Sequence, residues 1–303
     1  SDGAGTASFS HIINGVALGN IITMTARDVS GNTSEFSRAY TIALPNVVVT
    51  TANTGYGSLR YAILYSNSVN SPGASGGVTS VEFAIPGAGP HTIAVTSTLA
   101  SITQPVVIDG FTQSGTTCGT MKLFLDGASA GSGANGFTLA AGSDGSVVRG
   151  LAIGIFNANG IEAFSNNVRV ECCYLGSDVT GLINRGNGND GVRVLGANAV
   201  VNNCISVGNG RDGIELVSVS SATVTGNIVG LAADGSTAIG NSAQGVRLLG
   251  TTTYSTIGGT TAAERNVISG TTAFDGIIIH NDAHNNRIIG NYIGTVRTGT
   301  QGR

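Results

Sequence analysis

One repeat constrains this chain more than any other feature. A polar residue, a glycine and a triplet with apolar ends recur as Asn135-Gly136-Phe137-Thr138-Leu139, Asn159-Gly160-Ile161-Glu162-Ala163, Asp190-Gly191-Val192-Arg193-Val194, Asp212-Gly213-Ile214-Glu215-Leu216, Gln244-Gly245-Val246-Arg247-Leu248 and Asp275-Gly276-Ile277-Ile278-Ile279. The glycines stand 24, 31, 22, 32 and 31 residues apart. Fixed anatomy with drifting length marks a solenoid whose coils take insertions at their loops. A second element reads Val148-x-Gly150-x-x-Ile153-Gly154, Val170-x-Cys172-x-x-Leu175-Gly176, Asn202-x-Cys204-x-x-Val207-Gly208, Val224-x-Gly226-Asn227-x-Val229-Gly230 and Ile288-x-Gly290-Asn291-x-Ile293-Gly294. Two glycine-bounded strands per coil with a variable third side predict an all-β parallel solenoid.

Composition agrees. Of 303 residues, 47 are Gly, only 10% are charged and Lys122 is the sole lysine. Glycine falls at fixed places, so it punctuates turns. Val, Ile and Thr suit strands. A net charge of -3 without a basic run argues against a nucleic-acid partner, and no apolar run reaches the roughly 20 residues of a membrane span. The Ser/Thr/Asn/Gly-rich surface, poor in lysine, points to an extracellular or cell-surface protein. The chain opens on Ser1 without a signal peptide and reads as a mature or excised piece of something longer.

Three segments are expected. Residues 1–43 hold short strand-like runs (Ile12, Val16, Ile21, Ile22, Met24, Ala26), too few for a β-sandwich. Residues 44–80 hold a linker strand at Val47–Thr51 and a cap helix that Ser58 starts, with Leu59, Ala62, Ile63 and Tyr65 on its apolar face. Residues 81–303 hold the solenoid proper.

The solenoid stretch, including Ile257 to Gly270 and Gly290-Asn291-Tyr292-Ile293-Gly294-Thr295, resembles the right-handed parallel β-helix repeat proteins of the pectate-lyase-like superfamily, in particular large bacterial surface proteins of that type. Thr50 to Ile63, with Gly57-Ser58-Leu59-Arg60-Tyr61-Ala62, resembles the CSLREA region that begins such β-helices. Ile22 to Ser37, with Asp28-x-x-Gly31-Asn32, is similar to the last hairpin of bacterial immunoglobulin-like modules. The resemblance implies a right-handed β-helix. It leaves function open, because that fold hosts lyases, hydrolases, adhesins and structural rods.

The candidate site residues follow from stacking. The middle residues of the triplets point outward and form a file: Thr138, Glu162, Arg193, Glu215, Arg247, Ile278. Alternating charge reads either as a self-neutralising ladder or as a sugar groove. In a lyase Arg193 would abstract a proton. In a hydrolase Glu162 and Glu215, two coils apart and so about 9–10 Å from each other, would act as a carboxylate pair. The pre-glycine file of Asn159, Asp190, Asp212 and Asp275 reads as turn chemistry or as calcium held between coils. His280, Asp282 and His284 would share a strand face and suit zinc, or form a polar turn. Cys172 and Cys204 fall in one slot of consecutive coils, close enough for a disulfide, or are buried small apolar residues. Cys173 points the other way and Cys118 has no evident partner.

The expected function is an extracellular structural or adhesive solenoid, with head-to-tail self-association through its ends. The alternatives are a polysaccharide lyase or glycoside hydrolase using the triplet face, and a carbohydrate-binding module without turnover.

Overall fold

The computed structural model describes residues 21–25, 27, 30–34, 40–41, 44–69, 78–271 and 273–302. Internal contacts divide the chain into two units, Ser1–Leu44 and Pro45–Arg303. In the first, Ile21–Ile22 pairs antiparallel with Tyr40–Thr41, and Arg27 bridges Thr33 across the turn at Gly31, whose φ is +89°. The strand-like positions Ile12, Val16 and Ala26 lie outside the described residues.

The second unit is a parallel β-helix. It is built on three sheets, two from its first windings and one from Phe137 onward. The triplet sheet stacks Phe137–Leu139, Ile161–Ala163, Val192–Val194, Ile214–Val217, Val246–Leu249 and Ile277–Ile279. The second sheet stacks nine strands from Val47–Val48 and Thr79–Phe83 to Arg287–Ile289, and the third stacks eight from His91–Ala94 to Tyr292–Ile293. From Phe137 onward each coil visits triplet, second and third sheet in turn, whereas the strands before it belong to the second and third sheets alone; every neighbour in a sheet comes from the adjacent coil and these ladders are parallel.

Alternation within three-residue strands decides what faces inward. Val148, Val170, Val201, Val224 and Ile257 form one continuous inward file of the second sheet. All are at most 1% exposed. The ends of the triplets, such as Phe137, Leu139, Val192 and Val194, are buried in the same core. At the N-terminal end the helix Leu59–Val69 lays Leu59, Ala62, Ile63 and Ser66 on that core. The Ser58 hydroxyl accepts the Tyr61 amide at 3.2 Å, which caps it.

Corners are held by asparagine ladders. Asn187 Nδ2 donates to Asn209 Oδ1 at 3.0 Å, and Asn209 Nδ2 to Asn241 Oδ1 at 2.9 Å. A second ladder joins Asn227, Asn266 and Asn291 with 2.9 Å bonds. It continues upward through Cys204, whose amide donates to Asn227 Oδ1 at 2.9 Å, and Cys173, whose amide meets Cys204 Sγ at 3.4 Å.

That ladder corrects the expected cysteine pairing. Tyr174 pairs with Ile205 and Leu175 with Ser206. The Ile205 coil therefore carries one more residue before Gly208 than its neighbour carries before Gly176, and counting back from those glycines shifts the register by one. Cys204 stacks on Cys173, not on Cys172, and both thiols are free and buried. A one-residue slip sends a side chain to the opposite face. Cys172 has φ +49° in a slot that Gly150 (+72°) and Gly226 (+69°) also fill, so its side chain leaves the corner outward. There it meets Cys118 on the loop after the Gly110–Thr112 turn, and the two form a disulfide with a Cα–Cα distance of 4.9 Å across 54 residues. Burial pushes the Cys204 thiol up, which leaves it an inert core group.

A non-reducing peptide map is expected to link Cys118 to Cys172, with Cys173 and Cys204 alkylated only after unfolding. Cys118→Ser should lower stability by about 2–4 kcal/mol, since the bridge closes a long loop. A Cys172–Cys204 link would contradict the register.

Candidate functional site

Register places the triplet file as the spacing demands. Thr138, Glu162, Arg193, Glu215, Arg247 and Ile278 are successive partners across the triplet sheet. Their side chains are joined. Arg193 Nη1 donates to Glu162 Oε1 at 3.0 Å and Nε to Glu215 Oε2 at 2.8 Å, so one guanidinium bridges both glutamates. Glu162 Oε2 also accepts Asn135 Nδ2 at 2.9 Å. Arg247 Nη1 lies 3.6 Å from Glu215 and 3.6 Å from Asp212. Arg211, which the repeat pattern did not single out, lies 3.6 Å from Glu215 and 4.0 Å from Asp190. The space between Glu162 and Glu215, which a hydrolytic pair would need for water and sugar, is filled by Arg193.

The pre-glycine file runs beside this column and works between coils. Asn135 Oδ1 accepts the Asn159 amide at 2.8 Å, Asn159 Oδ1 the Asp190 amide at 3.0 Å, Asp190 Oδ1 the Asp212 amide at 3.0 Å and Asp212 Oδ1 the Gln244 amide at 2.9 Å. Each side chain therefore satisfies the equivalent amide one coil on, rather than its own turn. Asp275, the last member, is exposed.

The acids are deep. The side chains of Asp190 and Asp212 are 0% exposed and that of Glu215 1%, against 30% for Arg193 and 43% for Arg211. Among the described residues nothing donates a hydrogen bond to Asp190 Oδ2 or Asp212 Oδ2. Burial first, then the Glu215 charge, pushes the Asp190 carboxyl up to about 7; the amide of Asp212 and Arg211 oppose this. Burial raises Asp212 as well, against the Gln244 amide.

The remaining candidates do not join this cluster. His280 and Asp282 are exposed, and His284 Nδ1 meets the Asp282 carbonyl at 2.7 Å. Among the described residues no three His, Cys, Asp or Glu side chains converge on a metal position. On the second sheet, Asp109 and Arg149 are paired at 2.6 Å, and Arg149 is in register with Glu171, so charge alternates there too.

Three comparisons bear on kinship. No family model and no curated protein matches the chain. Among solved structures, the A-module of the Azotobacter vinelandii mannuronan C-5 epimerase AlgE6 is similar at 13% identity and a TM-score of 0.27, over 80% of this chain and 96% of that one. The strand pairings themselves carry the fold.

The raised acids set a pH dependence. A carboxyl whose folded pKa lies above its unfolded value holds its proton more tightly when folded. Its stability contribution is thus present at low pH and is lost as pH climbs from about 4 to about 7. Unfolding free energy should fall across that window by an amount on the order of 2–4 kcal/mol. Asp190→Asn, which keeps the Oδ1 acceptor and matches Asn159 one coil earlier, should flatten the curve. A stability profile that rises over the same window in the parent chain would contradict this origin.

Proposed function

We propose that this chain is an extracellular structural or adhesive β-solenoid, whose triplet face is internal wiring rather than a catalytic centre. One observation carries the reading: Asp190, Asp212 and Glu215 are buried and face Arg193, Arg211 and Arg247, while Asp190 and Asp212 also hold backbone amides of the next coil. A catalytic pair needs carboxylates that reach substrate. These reach each other's counter-ions. The lysine-poor, Ser/Thr/Asn/Gly-rich surface and the outward disulfide support an oxidising, extracellular setting.

Head-to-tail joining receives no support at the first coil, where helix Leu59–Val69 covers the core. The enzymatic reading keeps one supporting observation. A carboxyl pushed up to about 7, as at Asp190, has the proton affinity of a general acid near neutral pH.

The two readings part in a single assay. The full chain is incubated with acidic and neutral polysaccharides, and reducing ends and unsaturated products are followed. The scaffold reading expects no turnover. It expects Arg193→Ala to act on stability alone, with a loss of about 3–5 kcal/mol, because Glu215 is left buried with a weaker set of partners. Turnover abolished by Arg193→Ala or Asp190→Asn at unchanged stability would replace the scaffold with a lyase or hydrolase.

A further inference from the structure

The third sheet carries an unusual outward face. Thr92, Phe124, Ala152, Tyr174, Ile205, Ile228, Val267 and Tyr292 are successive partners on it. Outside positions of a solenoid are ordinarily polar; this file is mostly apolar, and from Phe124 to Val267 it is buried as a second core outside the sheet. Hairpin loops closed by Ser177–Asn184, Leu231–Ala238 and Thr295–Gly302 bridges follow the third-sheet strands. They are tied to one another by Ala233 N to Gly181 O at 3.0 Å and Arg297 N to Gly235 O at 2.8 Å. Towards the N-terminal end of the file is a cleft of about 400 Å³, lined by Phe124, Asp126, Ile155, Asp178, Val179 and Arg185 among others. That volume is in the range of small-ligand sites, about 300–1,000 Å³.

Ile155 marks the cleft as more than a gap. The residues Phe156, Asn187, Asn209 and Asn241 are one corner ladder, each accepting or donating to the next. The residue before each is Ile155, Gly186, Gly208 and Gly240. Three coils place glycine there, of which only Gly208 takes left-handed backbone (φ +65°), and the cleft coil places a β-branched residue at φ +63°. A β-branched side chain in the left-handed region is strained, and such strain gathers at functional sites. The central core and the corner ladder do not require it, because Phe156 supplies the inward side chain; Ile155 instead packs, half-buried, on the apolar cluster of Phe124, Ala152 and Tyr174 outside the third sheet. The other side of Ile155 is an apolar wall of the cleft.

The polar lining is incompletely used. Asp126 Oδ1 accepts the Ala128 amide at 2.9 Å, and Asp178 Oδ1 accepts Thr180 Oγ1 at 2.7 Å and the Ile183 amide at 3.2 Å. The second oxygen of each has no protein partner among the described residues. The Arg185 guanidinium likewise has none, while its backbone carbonyl holds the Ile155 amide at 2.9 Å.

We infer that this cleft binds a neutral pyranose unit of a glycan, a role that goes beyond the scaffold function and stands or falls separately from it. Two free carboxylate oxygens call for hydroxyl donors. Arg185, with up to five N–H donors, calls for acceptors. The walls of Phe124, Ile155 and Val179 call for an apolar face. A pyranose offers all three on one ring: C–H groups on its face and hydroxyls that both donate and accept. An anionic sugar or phosphate would meet two carboxylates against one guanidinium, and a simple amine would leave Arg185 without an acceptor.

The test is titration calorimetry of the full chain against neutral oligosaccharides, matched uronate oligosaccharides and alkylamines, with melting curves for every variant. Neutral saccharides should bind best. Asp126→Asn and Asp178→Asn, which keep the Oδ1 acceptor, should each weaken binding about tenfold. Ile155→Gly should weaken it as well, in a chain whose melting curve shows it still folded. Tighter uronate or amine binding, no saccharide binding by a folded parent chain, or binding indifferent to all three substitutions would overturn the inference. None of those outcomes bears on turnover at the triplet face, so the scaffold reading is tested apart.

Discussion

In-register stacking of parallel coils is the constraint from which the rest follows. Because Ile161 lies on Phe137 and Val192 lies on Ile161, whatever a sequence slot holds is repeated one strand spacing away. Apolar slots become a continuous core, which no single coil could bury by itself. Polar slots become ladders, and a ladder is stable only if each rung satisfies the next. The asparagine files do this with neutral side chains, since an amide both donates and accepts. Carboxylates can accept a backbone amide but cannot pair with one another in this way, and the triplet face answers with arginines between them. Arg193 between Glu162 and Glu215 is the plainest case.

Stacking also explains why the buried acids are tolerated. Desolvating a carboxylate is costly unless it is paired and hydrogen-bonded. Asp190 and Asp212 each give one oxygen to an amide of the next coil and leave the other near a guanidinium without a hydrogen bond. The result is two acids lifted above their ordinary range, with Asp190 at about 7. A solenoid built this way is sensitive to pH at its charged column while its apolar core is not.

Much of the fold was legible in the sequence because its signals are local. The glycine before each triplet, the apolar ends and the charged centres sit within five residues, and the pairing of Glu162, Arg193, Glu215 and Arg247 followed directly. What failed, failed through register and convergence. The coil at Ile205 has one residue more before its glycine, so counting from Gly208 put Cys204 beside Cys172 when it belongs beside Cys173. Asn227 and Asn291 in equivalent slots hinted at the corner ladder, but Cys173 and Cys204 in the same slots hid it. Arg211 enters the charged cluster from a turn, outside any strand alternation. The third-sheet cleft brings together Phe124, Ile155, Asp178 and Arg185 from separate coils and a hairpin, and no spacing rule announces that.

The central claim is that the charged column is an energetic link between coils. A double-mutant cycle over Glu162→Ala and Arg193→Ala, read by equilibrium unfolding at a pH where both groups are charged, tests it most directly. A coupling of at least about 1 kcal/mol in the stabilising direction is the result expected for neighbouring rungs of one network. Strictly additive losses would contradict it and return the triplet face to the status of an open surface.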